Sequence, residues 1–427
     1  MKQYSSYKDS GIEWIGEIPS HWKVKRVGSV FSQRNEVVSD TDYQPLSVTK
    51  NGIVPQMEGV AKTDNNDNRK LVMIGDYVIN SRSDRKGSSG LSYLDGSVSV
   101  INIVLNPFGI NPKITPYMFK SYDFIEEFFR NGKGIVWDLW STRFNEMKNI
   151  LLPIPPLSEQ EHIVSYLDDK TTKIDELIQK KLRKIDLLKE YRTSLISTVV
   201  TKGLNPNVPM KDSGIEWIGE IPSHWEVKKL KYVSEIIPSN VDKHIFPDEI
   251  QVSLCNYTDV YKNEKIDLQY EFSKGSCNQN EKDKYQLRKN DVIITKDSET
   301  PDDIGVPCLI TEDLDNVVCG YHLTMLRPIE LKGEFLFRYL QSNFTKSYFC
   351  VSSNGMTRYG LGKSSIEDLI TLSPPISEQE HIVSYLDEKT SQIDKTIDIE
   401  KKKIELLKEY RQSLISNVVT GKIKVTE

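Results

Sequence analysis

The chain has 427 residues, enough for two to four domains of ordinary size. Its 38% hydrophobic and 27% charged residues suit a globular protein with buried cores, and no apolar run of about 18 residues is present to span a membrane. The net charge of −5 supplies no overall attraction for nucleic acid or membrane surfaces. The opening MKQYSSYKDSG lacks the apolar stretch of a secretory leader. Five cysteines, Cys255, Cys277, Cys308, Cys319 and Cys350, are odd in number and contain no C-x-x-C pair. Free thiols and a cytoplasmic location are therefore expected, with neither a disulfide frame nor a zinc site.

The first element in the chain, KDSGIEWIGEIPSHW at Lys8–Trp22, returns letter for letter at Lys211–Trp225. A variable block follows it, about Lys23–Pro153, in which short β-rich runs such as LVMIGDYVI and SVSVINIVL alternate with Gly, Asn, Asp and Pro clusters. Next comes SEQEHIVSYLD at Ser158–Asp168, which returns at Ser377–Asp387, with LLKEYR at Leu187–Arg192 returning at Leu406–Arg411. The first repeat recurs at an offset of 203 and the second at 219, so the region between the repeats is 16 residues longer in the second half, whose variable block is about Glu226–Pro374. A period of this length exceeds any solenoid repeat and describes a duplicated half-molecule.

The variable blocks share a scaffold. IGDYVI (Ile74–Ile79) aligns with KNDVII (Lys289–Ile294), and VLNP (Val104–Pro107) with MLRP (Met325–Pro328). Between the matched strands the loops differ: NSRSDRKGSSG (Asn80–Gly90) stands against TKDSETPDDIG (Thr295–Gly305). Function usually resides on loops carried by a fixed scaffold, so one job performed on two different targets is expected.

The second repeat predicts a helix. Ser158 with Glu161, and Ser377 with Glu380, fit a capping box after a proline pair. Apolar residues then fall at Ile174, Ile178, Ile185, Leu188, Leu195 and Val199, with gaps of 4, 7, 3, 7 and 4, a heptad seam. Ile393, Ile397, Ile404, Leu407, Leu414 and Val418 repeat it. The KKLRK and EKKK runs read as solvated faces. Two matched seams joined through a whole domain are expected to pair antiparallel. Lys170–Thr201 alone would span ~48 Å at 1.5 Å per residue. One turn of B-DNA is roughly 34–36 Å, so domains at the helix ends could address two DNA sites.

The expected fold is thus α/β: two mixed, mainly β-core domains separated by two long helices in an antiparallel coiled coil. The boundaries are 1–153 and 205–374 for the domains, and 154–204 and 375–427 for the helices. The doubled GIEWIGEIPSHW, the doubled P-P-x-S-E-Q helix start with LLKEYR, and two diverged blocks in alternation resemble the specificity subunit of a type I DNA restriction-modification system. The resemblance covers essentially the whole chain. It implies that each domain recognises one half of a bipartite double-stranded DNA target, and that repeated segments dock identical partners. Two methyltransferase subunits and restriction subunits are the implied partners. S-adenosylmethionine, ATP and Mg2+ are expected on them, and no cofactor on this chain.

Under that resemblance, the candidate DNA contacts in the first block are Lys50, Arg82, Arg85, Lys86, Lys133 and Arg143. Those in the second are Asn256, Tyr257, Lys296, Ser298, Arg358 and Lys363. Arginine suits guanine, and asparagine suits adenine. Trp137 and Trp140 fit a buried core better than a DNA flank. Residues 23–150 carry 17 Lys+Arg and 14 Asp+Glu; residues 226–370 carry 18 and 23. A negative second domain gains little from phosphate neutralisation alone, so partner subunits are expected to supply part of the basic surface.

Several motifs are set aside. GLGKSS at Gly360–Ser365 has Thr357 where a phosphate-binding loop needs glycine. NPFG at Asn106–Gly109 lacks the second proline of an adenine-methyltransferase motif, and no glycine-rich cofactor fingerprint accompanies it. Pro301–Asp302 with Glu330–Lys332 matches a nuclease-like spacing only through a loop and a proline-broken strand. His21, His224, His162 and His381 read as structural or partner-contacting residues. No catalytic residue or metal ligand is assigned. Two rival functions are a self-contained DNA-modifying enzyme and a coiled-coil adaptor that binds proteins and no DNA.

Overall fold

The computed structural model describes residues 3–56, 67–134 and 140–425. Trp137 lies outside these residues. The chain divides into two compact units, residues 1–181 with 401–427, and residues 182–400.

In the first unit, Phe31–Gln33 (β1), Val37–Val38 (β2), Arg69–Val72 (β3), Tyr77–Asn80 (β4), Ser89–Leu91 (β5), Gly96–Ser99 (β6) and Asn102–Pro107 (β7) build two antiparallel sheets. Their orders are β5-β4-β7-β1 and β6-β3-β2. Leu46, Val72, Val78, Val98 and Val104 pack between them. A helix, α1 (Tyr122–Arg130), follows; Ser121 caps it by accepting from the Phe124 N–H at 3.3 Å.

The second long helical repeat starts α2 (Leu157–Lys202), a single helix of 46 residues. The second unit repeats the sheet plan with Ser234–Pro238 (β8), Ile250–Cys255 (β9), Lys265–Ile266 (β10), Ser273–Cys277 (β11), Val292–Thr295 (β12), Pro307–Ile310 (β13), Val317–Cys319 (β14) and Leu323–Pro328 (β15). Their orders are β8-β15-β12-β13-β10 and β11-β9-β14, with β9–β14 and β10–β13 parallel. Helices α3 (Asn343–Ser352) and α4 (Ile376–Val419) complete the unit, the end of α4 returning to the first unit.

The scaffold match expected from sequence holds at residue level. Ile79 pairs with Ile103 and Ile294 with Thr324, which are the same positions under the two alignments. Each variable block is also closed by a strand pair joining its ends. Lys23 pairs with Ile154 in the first, and Glu226 with Ser373 in the second. A buried aspartate precedes each matched strand: Asp76 and Asp291, exposed by 2% and 1%. Its arginine differs. Arg34, just after β1, donates from Nε to Asp76 at 2.7 Å; Arg327, within β15, donates to Asp291 at 2.9 Å. In both pairs the hydrogen bond to the carboxylate raises the guanidinium pKa.

The capping boxes do not form. α2 already begins at Leu157 and α4 at Ile376, so Ser158 and Ser377 lie inside their first turns. The following glutamines anchor the helix starts instead. The buried Gln160 donates from Nε2 to the Pro155 carbonyl at 2.8 Å and accepts from the Asn111 N–H at 2.8 Å. Gln379 does the same with Pro374 and the Lys332 N–H. The paired prolines present carbonyls that a glutamine side chain can reach, which ties each helix start to the chain just before it.

The seams pack as their spacing requires. Ile174, Ile178, Ile185, Val199, Ile393, Ile397, Ile404, Leu414 and Val418 are buried, while Leu188, Leu195 and Leu407 are half-buried. In the second unit Lys184 meets Glu400 at 2.9 Å and Arg192 meets Asp394 at 3.0 Å, so α2 and α4 run antiparallel. In the first unit Arg411 meets Asp175 at 3.0 Å, the same repeat positions with the helices exchanged. The lysine and arginine runs do face solvent, but Glu400 within EKKK is buried.

Candidate nucleic-acid interface

The invariant segments are used internally. Ile12, Ile15, Ile18 and Trp22 are buried in the first unit, as are Ile218, Ile221 and Trp225 in the second. Trp22 Nε1 donates to Glu159 at 3.0 Å, and Trp225 Nε1 to Glu378 at 3.1 Å. His21 and His224 contact the same two carboxylates. The histidines of this repeat are therefore explained by structure. Trp217, at 69% exposure, is not covered.

In the first unit, the loop after β4 forms a 3-10 turn at Ser83–Arg85. Arg82 and Arg85 are exposed and share Asp84, at 3.2 and 3.7 Å. They line one cleft with Ser47, Thr49, Gln56, Arg69, Asn80, Ile101 and Asn102. Arg69 is buried and held by Ser97, Nε to Oγ at 2.8 Å, so it acts as a wall of the cleft. Lys86 turns away, pairing with Glu126 at 2.7 Å and covering the Phe129 ring at 4.7 Å. Lys133 is exposed beside Glu146 at 3.2 Å, and the backbone of Ser141 bridges both Arg82 and Lys133. Lys50 and Arg143 are exposed and do not line this cleft. Trp140 is half-buried, its indole N–H on the Phe129 carbonyl at 2.9 Å.

In the second unit, Tyr257, Ser298 and Arg358 converge on one cleft together with Tyr261, Asp297, Thr300 and Asp303. Asp297–Ser298 pairs with Tyr359–Gly360, which carries Arg358 beside the loop after β12. Tyr257 and Tyr261, one helical turn apart, stack at 5.6 Å, and the Tyr261 hydroxyl donates to Asp303 at 2.6 Å. Burial and the Asp303 charge raise the Tyr257 pKa, so its hydroxyl remains a donor. Lys296 donates to the Ser239 carbonyl at 3.2 Å and lies 4.9 Å over the Tyr321 ring. Asn256 caps the helix Tyr257–Lys262, and Ser298 is buried. Lys363 is exposed at a short helix, 3.5 Å from Glu367. Tyr261, Asp297, Asp303, Tyr321 and His322 were missed from sequence. The only available signal was the i, i+4 spacing of Tyr257 and Tyr261.

The clefts therefore differ in chemistry. The first is lined by three arginines, amides and one carboxylate, Asp84, while the second holds several carboxylates around one arginine, in keeping with the local charge counts. Glu330 accepts from Lys228 at 2.7 Å and Lys332 pairs with Glu380, so the nuclease-like residues are scattered. Among the described residues no cluster of His, Cys, Asp and Glu suits a metal ion, and no helix is long and apolar enough to cross a membrane.

The profile of the type I restriction modification DNA specificity domain matches residues 19–187 and again 222–409. The type I restriction enzyme MjaVIII specificity subunit of Methanocaldococcus jannaschii is 24% identical over 96% of this chain and 94% of its own. A chain from a solved type I restriction-modification assembly superposes with a TM-score of 0.73 at 18% identity, covering 95% of this chain and 99% of its own. The HsdS subunit from Thermoanaerobacter tengcongensis gives a TM-score of 0.53 at 18% identity, over 95% and 98%. With two copies of the family's domain covering most of its length, the chain belongs to the type I restriction-modification DNA specificity family and is, as such subunits are, a non-catalytic target-recognition subunit.

Proposed function

We propose that the two units read the two halves of a bipartite double-stranded DNA site, the first through the Arg82–Arg85 cleft and the second through the Tyr257–Arg358 cleft. The observation that carries this is the pairing register: the matched strand pairs β4–β7 and β12–β15 align residue for residue while the clefts beside them carry different side chains. Arg82 and Arg85 suit guanine N7 and O6, and Arg358 with Tyr257 and Ser298 suits a mixed set of acceptors and donors. Lys50, Lys133, Arg143 and Lys363, all exposed, hold phosphates, which position the protein without specifying sequence.

The repeated surfaces bind two methyltransferase subunits, which carry S-adenosylmethionine and methylate adenine in the site. Restriction subunits with ATP and Mg2+ join the same assembly in the cytoplasm. This chain supplies address, and its partners supply chemistry. The helix pair sets the distance between half-sites.

The test is a genome-wide map of N6-methyladenine with and without the gene. One bipartite motif with a fixed gap should vanish on deletion. Exchanging residues 23–150 for the equivalent block of a relative should then change one half of the motif alone. A map unchanged by deletion, with the methyltransferase subunits still co-purifying, would favour the adaptor function instead.

A further inference from the structure

Ser99 ends β6 and Asn102 begins β7, and these strands belong to different sheets. Val100 and Ile101 form the two-residue turn between them, each 41% exposed. The turn is held by polar neighbours. Asn102 Nδ2 donates to the Ser99 carbonyl at 3.0 Å, and Lys70 Nζ to the Asn102 carbonyl at 2.7 Å. Two-residue turns favour Gly, Asn, Asp and Ser, so two β-branched apolar residues here run against local preference. Exposed as they are, they add little to the core. Local rules broken without a stability gain concentrate at functional sites.

Ile101 lines the same cleft as Arg82, Arg85 and Asn80. At the same scaffold positions, the second unit has Tyr321, 50% exposed, and His322, at φ 72° and 2.6 Å from Asp297. The turn is thus a place where the two copies differ in chemistry: apolar in one, aromatic and polar in the other. An apolar tip beside arginines matches one feature of duplex DNA. The only apolar group on a major-groove base edge is the thymine C5-methyl, and it lies in the same groove as the guanine N7 and O6 that Arg82 and Arg85 suit.

We propose that the Val100–Ile101 turn is a specificity element that packs on thymine C5-methyl groups in the half-site read by the first unit. This rests on the DNA-reading function above. The test replaces thymine by deoxyuridine, which removes only the methyl, separately in each half of the methylated motif. Affinity of the assembled complex with its methyltransferase subunits is measured in competition.

Uracil in one half-site should weaken wild-type binding roughly fourfold per contacted methyl. V100S/I101S should lose that sensitivity in the same half alone, and the conservative I101V should keep it. The DNA-side substitution needs no protein variant, so a folding defect cannot mask the result. Binding that is specific for the motif yet indifferent to uracil in both halves overturns the thymine contact and leaves the DNA-reading function standing. An equal response of wild type and V100S/I101S overturns it too. Absence of specific binding to any bipartite duplex overturns both.

Discussion

Trp22 and Glu159 are 137 residues apart in sequence, yet the indole N–H of the first donates to the carboxylate of the second at 3.0 Å. Trp225 and Glu378 repeat the bond at 3.1 Å. The opening repeat and the helix-start repeat therefore travel together because each holds half of one hydrogen bond. A buried indole N–H left without an acceptor costs about 1–3 kcal/mol. E159A should destabilise the first unit by that amount and E378A the second, while E159Q, which keeps an acceptor oxygen, should cost far less. Hydrogen exchange of the amides around each tryptophan reads the two units separately.

Asp76 and Asp291 are buried partners of Arg34 and Arg327 and also accept backbone N–H groups, from Met73 and Arg288, at 2.8 Å each. Removing the carboxylate strands both an arginine and an amide. D76A and D291A are each expected to cost about 3–5 kcal/mol, as for breaking a buried ion pair. Denaturant titration followed by local exchange checks the size and the unit affected.

Asp387 receives Arg338 Nε at 3.1 Å and Lys265 Nζ at 2.8 Å. Burial pushes its carboxyl pKa up, and the two cations overcome this and hold it below the ordinary 3.8. A carboxyl depressed in the folded state contributes stability above its unfolded pKa and loses it as pH falls through the folded value. D387N should therefore destabilise at pH 6 by about 1 kcal/mol, well below the buried-pair range because the Asp387 side chain is 38% exposed and screened by solvent. The gap between variant and wild type should close as pH falls below about 3.8. Urea midpoints at pH 6 and at pH 3 measure it.

R82A/R85A and Y257A/R358A should act on opposite halves of the DNA site. Removing one arginine–guanine hydrogen-bond pair takes away about 1–3 kcal/mol of discrimination at its own position. Competition binding with single-base variants of the motif distinguishes this from a general fall in phosphate attraction, which would lower affinity for all sequences alike.

Seven residues inserted at matching midpoints of α2 and α4 keep the seam in phase and lengthen each helix by ~10.5 Å. The gap in the methylated motif should then grow by about three base pairs. An unchanged gap, with methylation retained, would remove the helices from the spacing role.

The duplication, the paired seams and the matched strands were legible in the sequence, because each is a periodic or repeated pattern. The offset of 219 reappears between the ion pairs Arg192–Asp394 and Arg411–Asp175, and the offset of 203 between Trp22 and Trp225. Helix starts were misread because α2 and α4 begin one residue before the serines, and the bonds that hold those starts, from Gln160 and Gln379 to the Pro155 and Pro374 carbonyls, form only when a glutamine folds back over them. Arg34 and Arg327 show the same limit: one buried charge is answered from two different strands, a choice that depends on side-chain reach across a sheet. Clefts are decided last of all. Ile101 shares a cleft with Arg82, and Tyr257 with Arg358, only because strands distant in sequence lie side by side. Repetition and hydrophobic period are local properties that a chain displays by itself. Which exposed side chains share a surface is a property of the packed backbone, and the tertiary structure alone determined it.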